Sequence, residues 1–116
     1  MAISEYKELD GVTVGASELS IVSGTTSLQT DTTDGVYQLW IDAGNMAKAD
    51  EFRVKVYEKV EATGGVKKVV MQFTLLGVQA QIFVTPTLIL MHGWDMTIQK
   101  IAGTDHAFDA SIRQVA

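Results

Sequence analysis

The sequence predicts an all-β protein, an antiparallel β-sandwich or jelly roll of about seven or eight strands. Apolar residues alternate with polar ones in many short runs, and these runs recur about every 8–12 residues with turn-forming residues between them. No stretch longer than a turn or two has the 3.6-residue periodicity of a helix. A small barrel has a similar strand pattern, so the spacing alone does not separate it from a sandwich.

Residues 51–76 contain the strongest hairpin signal. Apolar Phe52, Val54 and Val56 alternate with charged or polar residues, and a second alternating run follows in 69–76. The segment between the two runs contains Gly64 and Gly65, which favour a tight turn. Because alternate side chains of a strand point to opposite faces, each run has one apolar and one wetter face.

Before the hairpin, the N-terminal half predicts fewer strands. At most a short strand lies near 12–14, and a second one is predicted in 18–23 because Leu19 and Ile21 share a parity. Residues 25–34 are rich in hydroxyl groups and predict a polar loop or edge. A strand is predicted in 36–42, followed by a loop or single helical turn in 43–50.

After the hairpin, four more strands are predicted. Gly77 marks a break, and Pro86 suits a strand edge or start because proline cannot donate to a sheet ladder. His92 and Gly93 predict a turn, and a last break is expected at 102–105. The predicted strands are 78–84, 88–91, 94–101 and 107–115.

Composition and charge exclude several classes of protein. The chain has 116 residues, 47% of them hydrophobic, which fits one domain with its own core. It has no cysteine, so disulfides and thiolate metal sites are impossible, and synthesis in a reducing cytoplasm is expected. The net charge of −5 argues against a nucleic-acid or membrane partner, and no apolar run is long enough for a membrane-spanning helix.

The charge is unevenly distributed. Residues 1–50 contain eight acidic and two basic residues, whereas residues 51–76 contain five basic and three acidic ones. Such an asymmetry steers self-association or docking on a charged surface, although a solvated strand face with interleaved charges gives the same pattern.

Few residues suggest catalysis or metal binding. His92 and His106 are fourteen residues apart on separate predicted turns, without the close spacing of a histidine metal site. Asp31 and Asp34 precede Gly35 and favour a turn over a calcium loop. No nucleophile elbow or phosphate-binding loop is present. We therefore expect no enzymatic activity, no metal and no cofactor.

The aromatic residues raise sugar binding as the main chemical alternative. Trp94 shares a parity with Met96 and Ile98, which predicts that it lies in the core. Trp40 lies on a mixed face and Tyr57 on a charged face, so both are candidates for a glycan or protein contact.

Several blocks of the sequence resemble small proteins encoded among the head genes of tailed bacteriophages. The resemblance covers residues 35–116 and is carried by the blocks GVYQLWID (35–42), DEFRVKVYEKV (50–60), HGWDMTIQ (92–99) and AFDASIRQV (107–115). It implies a capsid decoration or cement protein with a β-sandwich or jelly-roll fold. It carries over no catalytic residue.

The resemblance implies a non-enzymatic virion structural protein that stabilises a phage head by bridging capsomers. Its expected partners are the major capsid protein and itself, as a homotrimer or homodimer, at the capsid surface. We divide the chain into an N-terminal arm with the first short strands (1–34) and a sandwich core (35–116), within a single domain. The expected interface residues are Ile3, Tyr6 and Leu9 in the arm, and Trp40, Arg53, Lys55, Tyr57 and Lys59 in the core.

Two other functions fit the same sequence. One is a carbohydrate- or receptor-binding module on the virion surface, and the other is a head-completion or tail-associated protein.

Overall fold

The structure is a computed structural model that describes residues 2–115, and these residues form nine strands and no helix. None of the described residues therefore belongs to a helix that could cross a membrane. The strands are β1 (Ile3–Val14), β2 (Leu19–Ser20), β3 (Gly35–Asp42), β4 (Glu51–Glu58), β5 (Lys68–Leu76), β6 (Phe83–Val84), β7 (Leu88–Leu90), β8 (Asp95–Ala102) and β9 (His106–Val115).

The strands form two antiparallel sheets. Sheet A has the order β1-β9-β3, with β6 and β7 both paired to the far side of β3, and sheet B has the order β2-β8-β4-β5. The hairpin predicted from 51–76 is confirmed as β4 and β5, which pair from Glu51 opposite Leu76 to Glu58 opposite Lys68. The predicted β-sandwich is confirmed, and three of its nine strands have only two or three residues.

Alternation along the strands builds one core between the sheets. Buried and more exposed residues alternate along β3 and β4, so that Tyr37, Leu39 and Ile41 lie inside together with Phe52 and its neighbours. Each such side chain contributes roughly 1.5–3 kcal/mol when fully buried. The core prediction for Trp94 is confirmed, since its side chain is fully buried.

The N-terminal residues are part of the sandwich, which corrects the prediction of an arm in 1–34. β1 pairs with β9 along its whole length, and Leu9 and Val14 are buried in the common core. The register shifts twice, between Glu5 and Lys7 and again between Leu9 and Val12. Each shift changes which residues face inward, and this hides the alternation that a regular strand would show.

The predicted strand in 78–84 is much shorter in the structure. Gly77 has a φ of 72°, which ends β5, and only Phe83 and Val84 then pair with β3. The remaining residues of this segment form an irregular connection over the side of the sandwich, where β5 and β6 lie close together. Phe73 and Phe83 join the two strands there, with ring centroids 5.1 Å apart.

Asp50 links two connecting segments at one end of the sandwich. Its buried carboxylate accepts hydrogen bonds from the Ala47 N–H at 2.7 Å and the Thr104 N–H at 3.0 Å, and lies 2.5 Å from His106 Nε2. These bonds connect the β3–β4 loop to the β8–β9 turn. Because the backbone N–H groups of Ala47 and Thr104 donate to it, with a further contribution from His106, the pKa of Asp50 lies below its usual range.

Candidate binding faces

The outer side of sheet A is acidic around one aromatic ring. Trp40 projects from β3, and the neighbouring strands β1 and β9 place carboxylates around it. These groups line a shallow, open depression of about 310 Å³. We call this surface the acidic face and define it by Glu5, Glu8, Asp10, Trp40, Asp42, Asp109, Ser111 and Arg113.

Arg113 covers the ring of Trp40. Its guanidinium carbon lies 3.9 Å from the ring centroid, and the indole N–H donates to Gln38 Oε1 at 3.0 Å. A cation–π contact at an exposed site is worth about 0.5–1 kcal/mol. The contact forms because Arg113 pairs with Gln38 across the strands, two residues from Trp40.

The outer side of sheet B carries Arg53 and Lys55 together with Glu51 of the same strand. Arg53, Lys55 and Tyr57 alternate with the buried residues of β4, and the opposite strands β5 and β8 place polar residues beside them. We call this surface the basic face and define it by Arg53, Lys55, Tyr57, Gln72, Thr74 and Gln99. The outer side of sheet A therefore carries more carboxylates than the outer side of sheet B, where Glu51 and Glu18 lie beside Arg53 and Tyr57.

Arg53 is only partly satisfied within the chain. One guanidinium nitrogen lies 3.5 Å from Glu51 Oε2, and the Arg53 Nε is buried without a hydrogen-bond partner. About 30% of the side chain is exposed, which leaves donors available to a partner. An exposed ion pair of this kind contributes at most about 1 kcal/mol, so binding can replace it at little cost.

The hydroxyl group of Tyr57 is hydrogen-bonded within the chain, since it donates to Glu18 Oε2 at 2.7 Å. Thr97 donates to the same oxygen. Burial, and then the hydrogen bond to Glu18, raises the pKa of Tyr57. The hydroxyl therefore holds the β1–β2 loop in place, while the ring remains half-buried on the basic face.

Asp95 is a buried carboxylate with a structural set of partners. It accepts hydrogen bonds from Ser20 Oγ at 2.7 Å, from the Gln29 N–H at 2.9 Å and from the Met96 N–H at 2.9 Å. Burial raises its pKa. Its bonds fix the β2 region and the loop after it to β8, which gives this group a structural role.

The predicted interface residues lie in four separate places. Arg53, Lys55 and Tyr57 lie side by side on the basic face, whereas Lys59 lies beyond the end of β4 with its side chain against Gly93. Its backbone N–H donates to the carbonyl of His92 at 3.2 Å.

Ile3 and Trp40 meet on the opposite side of the sandwich. They line a second, more apolar depression of about 210 Å³ together with Val36, Arg113 and Val115. The sequence did not indicate Arg113 as a neighbour of Trp40.

Tyr6 and Leu9 do not form a surface patch. Leu9 is 3% exposed in the core, which corrects its assignment as an interface residue. Tyr6 is half-buried, lies 5.3 Å from the Tyr37 ring and donates to Asp31 Oδ2 at 2.7 Å. The register shifts of β1 turn both side chains inward.

The two histidines lie apart. His106 is bonded to Asp50, whereas His92 lies in the turn that contacts the end of β4. Among residues 2–115, no group of three or more histidine or acidic side chains is arranged to hold a metal ion.

No protein-family model matches this sequence, and no curated protein is significantly similar to it. Among solved structures, the mitogen derived from Yersinia pseudotuberculosis is similar with a TM-score of 0.52 and 10% identity, over 99% of this chain and 86% of that chain. The C-terminal family 22 carbohydrate-binding module of Clostridium thermocellum Xyn10B has a TM-score of 0.42 and 14% identity, over 73% and 57% of the two chains. The structure of the infectious bursal disease virus Gx strain has a TM-score of 0.40 and 8% identity, over 97% and 31%. The first likeness supports the fold alone, and the other two carry no further argument.

Proposed function

We propose that this chain is a non-enzymatic structural protein of a tailed-bacteriophage virion, which binds the outside of the capsid and bridges neighbouring capsomers. One observation carries the proposal: the chain is a thin slab of 41 × 32 × 21 Å with two broad outer faces, one rich in carboxylates and the other carrying Arg53 and Lys55 beside Glu51. Both depressions beside Trp40 lie on the outer side of sheet A. This shape suits a protein that acts through the area it covers.

The broad faces are large enough for a specific interface. A face of 41 × 32 Å has an area of roughly 1,300 Å², more than the about 800 Å² per partner that a standard specific interface buries. A slab that spans the boundary of two capsomers adds buried surface which must be lost before the shell opens. The stabilisation would thus increase with the number of occupied sites.

The basic face is the docking surface in this proposal. Arg53 and Lys55 lie two residues apart on one side of β4, and the partly exposed Arg53 guanidinium is engaged within the chain by a 3.5 Å ion pair to Glu51. Arginine binds carboxylates through two parallel hydrogen bonds, so acidic residues on the outer surface of the shell are the matching partner. Charge complementarity of this kind increases the association rate and sets the register of docking.

Charge reversal on capsids tests the proposal. Arg53→Glu combined with Lys55→Glu should lower capsid affinity at least tenfold at physiological salt, the equivalent of about 1.4 kcal/mol. Lys59 is left unchanged because it lies beyond the end of β4, with its side chain beside Gly93. Occupancy on purified capsids is measured by co-sedimentation at several protein concentrations, and circular dichroism confirms that the variant is folded.

The matched control is Lys7→Glu combined with Lys48→Glu. Both lysines are exposed, lie outside the basic face and give the same change in net charge. The control should keep its affinity within about twofold. Equal losses of capsid affinity in both variants would mean that overall charge, and not this face, determines binding. Unchanged affinity of the Arg53 and Lys55 variant would reject this docking face.

We further propose that the chain acts as a homo-oligomer, a dimer or a trimer, as a bridging role at a symmetric position of the shell favours. Size-exclusion chromatography with light scattering, carried out over a range of concentrations, measures this state.

A carbohydrate- or receptor-binding module on the virion surface is the second candidate. Trp40 favours it, because a half-buried indole beside the Gln38 amide and several carboxylates is a typical setting for a sugar ring. Arg113 covers one face of the ring and would have to move before a sugar could stack there. Saturable glycan binding that Trp40→Ala abolishes, with no affinity for capsids, would favour this candidate over the first.

A further inference from the structure

The edge strands of the two sheets differ in how well they are protected against pairing with another chain. β1, an edge of sheet A, has Glu5, Lys7, Glu8 and Asp10 and two register shifts. β2, β6 and β7 are two or three residues long, and Pro86 lies between the last two. Charges, bulges, prolines and short length are the devices that keep edge strands from pairing with other chains.

β5 is the exception. It is a nine-residue edge strand of sheet B that pairs with β4 on one side only, and Lys68 is its single charged residue. It contains no proline, and its one register shift lies near its beginning, at Val70. The stretch from Met71 to Leu76 is regular. A long and largely apolar edge of this kind, less protected than the other edge strands, favours pairing with another strand.

Apolar side chains surround this edge. Val70 and Leu76 of β5 are 52% and 67% exposed, and Ile89 on the adjoining border of sheet A is 79% exposed. Val70 and Ile89 line one shallow depression, which shows that the two borders form a continuous surface. Exposed apolar surface of this extent on a small domain marks an interaction site.

We propose that β5 pairs antiparallel with β5 of a second copy about a two-fold axis at Gln72, so that the two four-stranded sheets become one sheet of eight strands. In this register Met71, Gln72 and Phe73 of the two copies face one another directly, and the irregularity at Val70 lies opposite Thr74. It places Lys68 opposite Leu76, so no like charges meet across the axis. The pairing also closes the assembly, because each copy uses its less protected edge and leaves the charged, bulged β1 outside.

The expected interface is small. Nine residues of strand extend roughly 30 Å, and the side of the slab is about 20 Å thick, which gives about 600 Å² per partner and the lower range of specific interfaces. The dimer should therefore depend on concentration in the micromolar range, and crowding of copies on a surface would favour it.

Cysteine cross-linking tests the register, because the chain has no cysteine of its own. Residues opposite each other on antiparallel strands have Cα atoms about 4.5–5.5 Å apart, within reach of a disulfide. Gln72→Cys should therefore oxidise to a covalent dimer. Thr74→Cys is the matched control on the same face, since the two copies of residue 74 would be roughly 14 Å apart along the strands, beyond reach of a disulfide.

A charge exchange at the same position tests pairing without a covalent bond. Gln72→Lys and Gln72→Glu should each be monomeric in sedimentation at concentrations where the unchanged chain is dimeric, because like charges face each other. Mixing the two variants should restore the dimer. Thr13→Lys, which adds the same charge to the exposed side of β1, should dimerise like the unchanged chain.

Three results would overturn the inference: no dimer of the unchanged chain up to about 1 mM, cross-linking of Thr74→Cys but not of Gln72→Cys, or failure of the mixed variants to associate. Thermal unfolding of each variant verifies that loss of the dimer is not loss of the fold. The measurements use no capsid, so loss of the β5 pairing leaves the proposed capsid binding standing, whereas a chain that stays monomeric would also remove the proposed homo-oligomer; a failure of capsid binding leaves the dimer standing.

Discussion

Gly103 is the position where a single methyl group should damage the structure most. A Cβ atom placed there would lie 2.0 Å from Asp50 Oδ1 and 2.8 Å from Asp50 Cα, and the glycine has a φ of 90°. The second contact is with backbone, so a change of rotamer at Asp50 cannot relieve it. Gly103→Ala must therefore displace the loop that Asp50 fastens.

The expected loss has two parts. A non-glycine residue in the left-handed region costs roughly 1–2 kcal/mol. Displacing Asp50 also weakens its bonds to the N–H groups of Ala47 and Thr104 and to His106, each worth about 1 kcal/mol. We expect Gly103→Ala to lower the free energy of unfolding by about 3–5 kcal/mol.

Gly64→Ala is the matched control. Gly64 has a φ of 75° with no atom within 4 Å of the added Cβ, so it should cost only the backbone part, about 1–2 kcal/mol. Chemical denaturation followed by circular dichroism measures both. If Gly103→Ala cost no more than Gly64→Ala, the close contact with Asp50 would not exist as described. The double variant of Gly103→Ala with Asp50→Ala should lose less than the sum of the two single losses, because both disrupt the same bonds.

Three further predictions concern single sites. The pKa of Asp50 is lowered in the folded state, so the stability that its carboxylate provides is present above the unfolded pKa of about 3.9 and is lost as the pH falls through the folded pKa. The difference in unfolding free energy between the unchanged chain and Asp50→Asn should therefore shrink below pH ~4. A difference that stays constant with pH would contradict the lowered pKa. Trp94→Ala should lower the free energy of unfolding by about 3–5 kcal/mol. The Trp94 side chain is fully buried, its ring centroid lies 4.5 Å from that of Tyr37, and its indole N–H donates to the Thr33 carbonyl at 3.0 Å. A loss below about 1 kcal/mol in denaturation experiments would contradict its place in the core. Arg113→Ala should lower the free energy of unfolding by about 0.5–1 kcal/mol and expose the ring of Trp40. Acrylamide quenching of tryptophan fluorescence should therefore increase, and the change reports on Trp40 because Trp94 is buried. Unchanged quenching would mean that Arg113 does not cover the ring.

Local alternation predicted the parts of the fold in which strands are regular. In β3 and β4, the buried residues are those of apolar parity, and the same parity placed Trp94 in the core. β1 escaped prediction because its two register shifts break the alternation and its outer side is charged. Residues 78–82 alternate like a strand but have no partner strand to pair with.

The two candidate binding faces also differ in how far the sequence could predict them. Arg53, Lys55 and Tyr57 share one strand, so their common face could be predicted from spacing alone. The neighbourhood of Trp40 depends on pairing between β3 and β9, which are more than sixty residues apart in the sequence. Strand register over such a distance is fixed by the packed core and leaves no local pattern, and this is why Arg113 was missed.

The central claim is that the chain functions as a layer on the surface of a virus particle. Cryo-electron microscopy of the particle produced by the genome that encodes this chain tests it most directly. We predict density for the sandwich on the outside of the shell, across capsomer boundaries, with Arg53 and Lys55 toward the shell. Particles that lack this density, or density confined to the portal or tail, would contradict the claim.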